Sequence, residues 1–282
     1  MADWALQRRW ESPEGTVRYD VFGDGPPLVL VHGTPSSAYL WRHVIRELAS
    51  GWTVYAYDLL GYGSSEKRDG QDVSLGAQAR LLAQLLDHWE LEQPAIAGHD
   101  FGGAITLRTH LLEHRPFSAI ALLDPVALGP WGSPFFWLIR DNADVFQQIP
   151  ATIHRAIVAA YLRGSFHREM SDEALAPYVE PWLGADGQDA FYRQIAQADQ
   201  RFTDEVEPLY GEITAPVLIL WGEEDEWIPV ETGRRLHALI PNSQLQLIPG
   251  AGHFLQEDAP EAVAGHLARF LSKATARATP TS

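Results

Sequence analysis

The chain has 282 residues, 46% of them hydrophobic, which is enough for a sizeable core and long for a single small one. Its formal net charge of −16 argues against nucleic acid and anionic membranes as partners, and the absence of cysteine excludes disulfides and thiolate metal sites. The start Met1-Ala2-Asp3-Trp4 lacks a basic stretch followed by an apolar one, and no run approaches the ~18 apolar residues of a membrane span, so a cytoplasmic protein is expected.

In chain order, Leu28-Val29-Leu30-Val31 has the continuous apolar pattern of a strand buried on both faces, and it runs into His32-Gly33-Thr34-Pro35. Trp52 to Tyr57 reads as a second strand, ending at Asp58. Ser74 is a candidate N-cap for a helix whose apolar face is Leu75, Leu82, Leu85, Leu86 and Trp89. Pro94-Ala95-Ile96-Ala97 is a further strand, followed by Gly98-His99-Asp100-Phe101-Gly102 and then by the helical start Ala104-Ile105-Thr106-Leu107. Ala119 to Leu123 leads to Asp124. From about residue 129 to 208 the strand–helix alternation stops, and helical segments rich in aromatics follow: Trp131, Phe135, Phe136, Trp137, Phe146, Tyr161, Tyr178, Trp182, Phe191 and Tyr192. The alternation resumes with Pro216 to Trp221, which runs into Gly222-Glu223-Glu224-Asp225. Leu245 to Ile248 then leads to Pro249-Gly250-Ala251-Gly252-His253. Ala274 to Ser282 reads as a frayed tail. Alternating strands and helices imply a parallel sheet, so residues 1–128 and 209–282 are expected to form an α/β core and 129–208 a helical cap over it.

The central run Gly98 to Gly102 has the form of a nucleophile elbow with aspartate where serine usually stands. A carboxylate is ionised near neutral pH, so it attacks without a base and can displace a leaving group from an alkyl carbon. The resulting ester carries its carbonyl on the enzyme. A general base and an oxyanion hole are then needed for its hydrolysis. His253, on a glycine-rich loop after a strand, is the expected base, and Asp225 the carboxylate that orients it. The backbone N–H groups of Thr34 and Phe101 are expected to form the oxyanion hole. His32 and His99 read as organisers of their loops, and Glu223, Glu224 and Glu226 as solvated charges.

These motifs, His32-Gly33-Thr34-Pro35, Asp58-Leu59-Leu60-Gly61-Tyr62-Gly63-Ser64-Ser65, Gly98 to Gly103, Trp221 to Asp225 and Gly250 to His253, resemble those of the α/β-hydrolase superfamily, within its aspartate-nucleophile branch of epoxide hydrolases and dehalogenases. The resemblance spans about Val21 to Leu271. It implies a mostly parallel eight-stranded sheet flanked by helices with an inserted helical cap, no cofactor or metal, a small-molecule substrate, and a monomer or homo-oligomer. It also admits Asp124 as an alternative triad acid, because different members carry the acid after either strand. Haloalkane dehalogenases usually place asparagine and tryptophan where this chain has Thr34 and Phe101, which leaves Trp131 or Trp137 as donors to a departing halide; the loop Thr34 to Arg42 nevertheless resembles the dehalogenase version. Epoxide hydrolases use cap tyrosines on the opening ring oxygen. Phe191-Tyr192-Arg193-Gln194 resembles a segment carrying one, with Tyr161, or else Tyr178, as the second. An epoxide is the expected substrate, a haloalkane or haloacetate the alternative, and a non-catalytic ligand receptor on the same fold the third reading.

Overall fold

The computed structural model describes residues 4–278. Eight strands form one sheet: β1 (Arg8–Ser12), β2 (Gly15–Phe22), β3 (Pro27–Val31), β4 (Thr53–Tyr57), β5 (Ala95–His99), β6 (Ala119–Leu123), β7 (Val217–Gly222) and β8 (Ser243–Ile248). Their order is β1-β2-β4-β3-β5-β6-β7-β8. The first two strands run antiparallel to their neighbours, and from β4 to β8 every pairing is parallel. Strands β5, β6 and β7 are buried along their whole length, which is why they read as unbroken apolar runs; β8, at the edge, alternates.

Both faces are covered by helices, and the side chains of each strand divide between them by the period of two. On one face, Val29, Val31, Ile96, Ile120, Leu122 and Ile219 join a core with α2 (Leu75–His88) and α3 (Phe101–Leu111). On the other, Leu28, Leu30, Ala95, Ala97, Ala119, Ala121 and Leu218 face α1 (Arg42–Leu48) and the long C-terminal helix. The alanines on that side let helices approach closely. Ser74 caps α2 as expected, its hydroxyl accepting from the Ala77 N–H.

Between β6 and β7 lies the helical insert: α4 (Pro134–Asp141), α5 (Ala143–Gln147), α6 (Ala151–Arg163), α7 (Asp172–Val179), α8 (Gly184–Ala196) and α9 (Arg201–Asp204). The return to the core at about residue 209 falls inside a 3-10 turn, Glu207–Glu212, where the Tyr210 hydroxyl donates to Ala127 O at 2.7 Å. That bond joins the end of the insert to its beginning. After β7 come α10 (Val230–Leu239), α11 (Leu255–Asp258) and α12 (Pro260–Ala278). The expected tail from Ala274 is therefore helical through Ala278, and 279–282 lie outside the described residues, as do Met1 to Asp3. No helix among the described residues is long and apolar enough to cross a membrane.

Candidate active site

Asp100 sits between β5 and α3 with φ +52° and ψ −120°, a backbone conformation that L-residues avoid and that a sharp strand-to-helix turn imposes. The turn closes only because its neighbours are glycine. A Cβ on Gly98 would strike the carbonyl of Gly102, and one on Gly102 would strike the carbonyl of Val31. Asp100 itself is pinned on both sides of its peptide: its N–H donates to Leu123 O at 3.1 Å, and its carbonyl accepts from Gly103 at 2.9 Å and Val126 at 3.1 Å. The side chain is left standing at the N-terminal end of α3, where the helix dipole favours a negative charge.

Two loops complete its surroundings. The Thr34 N–H donates to Asp100 Oδ1 at 2.6 Å. On the other side, His253 Nε2 lies 3.4 Å from Asp100 Oδ2, and His253 Nδ1 is 2.8 Å from Asp225 Oδ2. Asp225 is held in turn, its Oδ1 accepting the N–H groups of Trp227 at 2.8 Å and Ile228 at 3.0 Å. His99 Nε2 bonds the carbonyl of His253 at 2.9 Å, which is the loop-organising role read for His99 in the sequence. Of the two acids weighed for the histidine, Asp225 is the one on Nδ1. Asp124 Oδ1 accepts instead from the Gly222 N–H at 2.9 Å, and its Oδ2 is buried without a partner.

Electrostatics follow from this packing. Burial alone would push the His253 imidazole down, but Asp225 and Asp100 outweigh it and hold the group well above the usual histidine range. Burial, reinforced by the charge of Asp225, pushes Asp124 well above the usual carboxylate range and favours its protonated form. One ligand-capable atom from each of His99, Asp124 and His253 lies within 4.8 Å of the others. A carboxyl that burial tilts toward its protonated form, beside two imidazoles, suits a proton network better than a cation.

A narrow cavity of about 40 Å³ opens over Asp100, lined among others by Thr34, Phe101, Trp131, Phe136, Tyr161 and Trp227. Phe101 presents a ring there and no side-chain donor. Trp131 lines the cavity, but its indole N–H is spent on Thr203 Oγ1 at 3.0 Å. Trp137 packs behind Trp131, with ring centroids 5.4 Å apart and the rings tilted by 35°, and does not reach the cavity. Tyr192 is turned away as well. His154 Nε2 faces the Trp182 carbonyl at 2.7 Å and so carries the proton, leaving Nδ1 to accept from the Tyr192 hydroxyl at 2.9 Å. The Tyr178 hydroxyl donates to Glu257 at 2.5 Å. Tyr161 is the cap phenol that does face Asp100. Its ring stacks on Trp227 with centroids 4.6 Å apart, its hydroxyl has no hydrogen-bond partner among the described residues, and burial with the charge of Asp100 pushes it up.

Two residues here were not singled out from the sequence. Trp227 lies two positions after Asp225 and packs against His253 at 5.0 Å; the tight turn that lets its N–H cap Asp225 was the available signal. Gln194, from α8, accepts the Thr34 hydroxyl at 2.8 Å and the Tyr62 hydroxyl at 3.0 Å, joining the cap to both loops beneath it.

Strand order, elbow and chain order of nucleophile position, acid and histidine define an α/β hydrolase. The chain belongs to the alpha/beta hydrolase fold family, whose model matches residues 26–260. It is 30% identical to Haloalkane dehalogenase 2 of Mycobacterium tuberculosis over 93% of each chain, and 29% identical to the uncharacterized hydrolase YugF of Bacillus subtilis over 86% of this chain and 89% of that one. Among solved structures it is similar to an alpha/beta hydrolase fold protein from Burkholderia ambifaria, with 44% identity, a TM-score of 0.91, and coverage of 94% of this chain and 97% of that one.

Proposed function

We propose that this hydrolase works through a covalent alkyl ester on Asp100, and that its substrate is a small apolar epoxide opened to a diol. The observation that carries the proposal is the position of one carboxylate between two unlike partners: Thr34 N–H at 2.6 Å on Oδ1 and His253 Nε2 at 3.4 Å from Oδ2. Oδ1, held by the N–H, is suited to remain the carbonyl oxygen. Oδ2 is then the atom that displaces the ring oxygen from carbon, and the C–O electron pair leaves as an alkoxide that takes a proton or hydrogen bond from Tyr161. In the second step His253 Nε2 removes a proton from water, the hydroxide adds to Cγ of Asp100, and the negative charge on Oδ1 is met by Thr34 and Phe101 N–H groups; collapse breaks the Cγ–Oδ2 bond, the imidazolium returns its proton to the leaving oxygen, and the diol is released. Asp225 stabilises the imidazolium formed in between.

Tyr161 supports an oxygen leaving group because its hydroxyl is uncommitted beside Asp100, whereas Tyr192 and Tyr178 have theirs bound elsewhere. The cavity is small, since about 10–15 Å³ by the same measure already holds one water, so compact substrates fit best. A second reading, an organohalide, draws on the similarity to Haloalkane dehalogenase 2. It lacks an obvious halide cradle: Trp131 has its N–H engaged and Trp137 stands outside the cavity. The test is turnover of 1,2-epoxybutane and 1-bromobutane by the pure enzyme and by Tyr161→Phe. Diol formation that falls by at least about tenfold in the variant is expected; bromide release with no diol would replace the epoxide by the halide reading.

A further inference from the structure

The loop that carries His253 is fastened to the cap, and Asp258 is the fastener. Asp258 Oδ2 accepts the N–H of Gly252 at 2.9 Å and of His167 at 2.8 Å, and Oδ1 accepts the N–H of Arg168 at 3.1 Å. Its side chain is 1% exposed, so these bonds form in a dry setting where charge-assisted hydrogen bonds are strong. On the other side of the histidine, the Phe254 N–H donates to Ser165 O at 2.8 Å. Residues 165–168 belong to the cap, between α6 and α7. The two backbones touch so closely that a Cβ on Gly252 would come within 2.8 Å of His167 N. Glu257, one residue before Asp258, repeats the connection: it pairs with Arg42 of the core and accepts from Tyr178 of the cap.

We propose that Asp258 is the positioning residue for His253, fixing the histidine loop to cap residues 165–168, so that the cap and the core together set where the general base stands. Each neighbour of His253 in sequence, Gly252 and Phe254, has its N–H committed to this junction. The core alone holds His253 through His99 at its carbonyl and Asp225 at its ring. Loosening the junction should therefore displace the imidazole, and a displacement of about 1 Å at a reacting group can cost roughly 10²-fold. The inference rests on His253 acting as base for ester hydrolysis, so it predicts damage to that step alone.

The experiment compares Asp258→Asn with wild type and His253→Gln in single turnovers with 1,2-epoxybutane and 1-bromobutane, following the enzyme adduct by intact-protein mass spectrometry. Asp258→Asn keeps the shape but faces at least one N–H with an NH2 group. It should alkylate at the wild-type rate and hydrolyse the ester about 10²-fold more slowly. Gly252→Ala, which leaves Asp258 in place but drives loop and cap apart, should show the same split. Equal slowing of both steps, or no slowing, overturns the proposal. The downfield NMR signal of the His253 Nδ1 proton bonded to Asp225 gives a reading that needs no turnover: it should move or broaden in Asp258→Asn. Should His253→Gln form no adduct with either probe, the catalytic reading fails, and an unmoved Nδ1 signal would still overturn the positioning role by itself.

Discussion

In the proposed mechanism, replacing His253 by Gln removes the group that takes water's proton and leaves the Asp100 carboxylate untouched. Alkylation should then proceed while hydrolysis stops, and a substrate-sized mass increase should build up on the peptide containing Asp100. Normal turnover by the variant would remove His253 from the reaction. The two acids separate at this scale too. Asp225 bonds Nδ1 at 2.8 Å, so Asp225→Asn disturbs both the tautomer and the charge that stabilises the imidazolium, and ester hydrolysis should fall by up to about 10⁴-fold. Asp124 already favours the protonated form, and Asn is close to its shape and polarity, so Asp124→Asn should cost less than about tenfold. Hydrolysis rates of a preformed ester in both variants check the ranking, once circular dichroism has shown that both fold.

The cap element α8 reaches the loops beside Asp100 through Gln194, which accepts the Thr34 and Tyr62 hydroxyls. Gln194→Leu would leave the Thr34 and Tyr62 hydroxyls buried without their acceptor, lowering unfolding free energy by about 1–3 kcal/mol in denaturant titrations. Turnover should fall with it, because Thr34 also supplies the N–H on Asp100 Oδ1; unchanged stability and rate would make the bridge incidental. How legible such elements were in the sequence depended on what covers them. Strands β3, β5, β6 and β7 are sandwiched by helices, so their apolar runs announced them, and the loops at their ends carried the residues of the site. The β1–β2 hairpin was not anticipated: Arg8-Arg9-Trp10-Glu11-Ser12 is a charged, largely exposed edge strand without a clean period. In the cap, tyrosines are distributed over several helices, and the sequence does not say which helix face meets the cavity and which meets another helix. Tyr192 was read toward the substrate but faces His154, while Tyr161 faces Asp100. Gln194 was invisible for the same reason, being one polar residue beside aromatics on a helix whose neighbours were unknown.

At the scale of the whole molecule, the sheet delivers Asp100 from β5, Asp225 from the loop after β7 and His253 from the loop after β8 to one end of the fold, so a charge change on one is felt by the others. In the free enzyme Asp225 and Asp100 together hold His253 above the usual histidine range against the opposing effect of burial. That balance favours the protonated imidazole in the free enzyme, a form that cannot yet act as a base. In the proposed reaction, alkylation turns Asp100 into a neutral ester and removes its charge and its hydrogen bond from the set that holds the proton, leaving Asp225 against burial. The sign is fixed: the His253 midpoint must be lower in the intermediate than in the free enzyme, and the proton it gives up readies it for water. Ester hydrolysis should rise with pH through that lower midpoint, while alkylation stays flat across the same range. Between the two midpoints, mixing enzyme with excess 1-bromobutane, whose bromide leaves without a proton, should release a burst of up to one proton per Asp100 alkylated, visible with a pH indicator and absent in His253→Gln, whereas with 1,2-epoxybutane the alkoxide takes up that proton and no net burst is expected. A hydrolysis midpoint equal to or above the histidine titration measured by NMR in the free enzyme, or a burst that survives in His253→Gln, would show that the proton is controlled elsewhere.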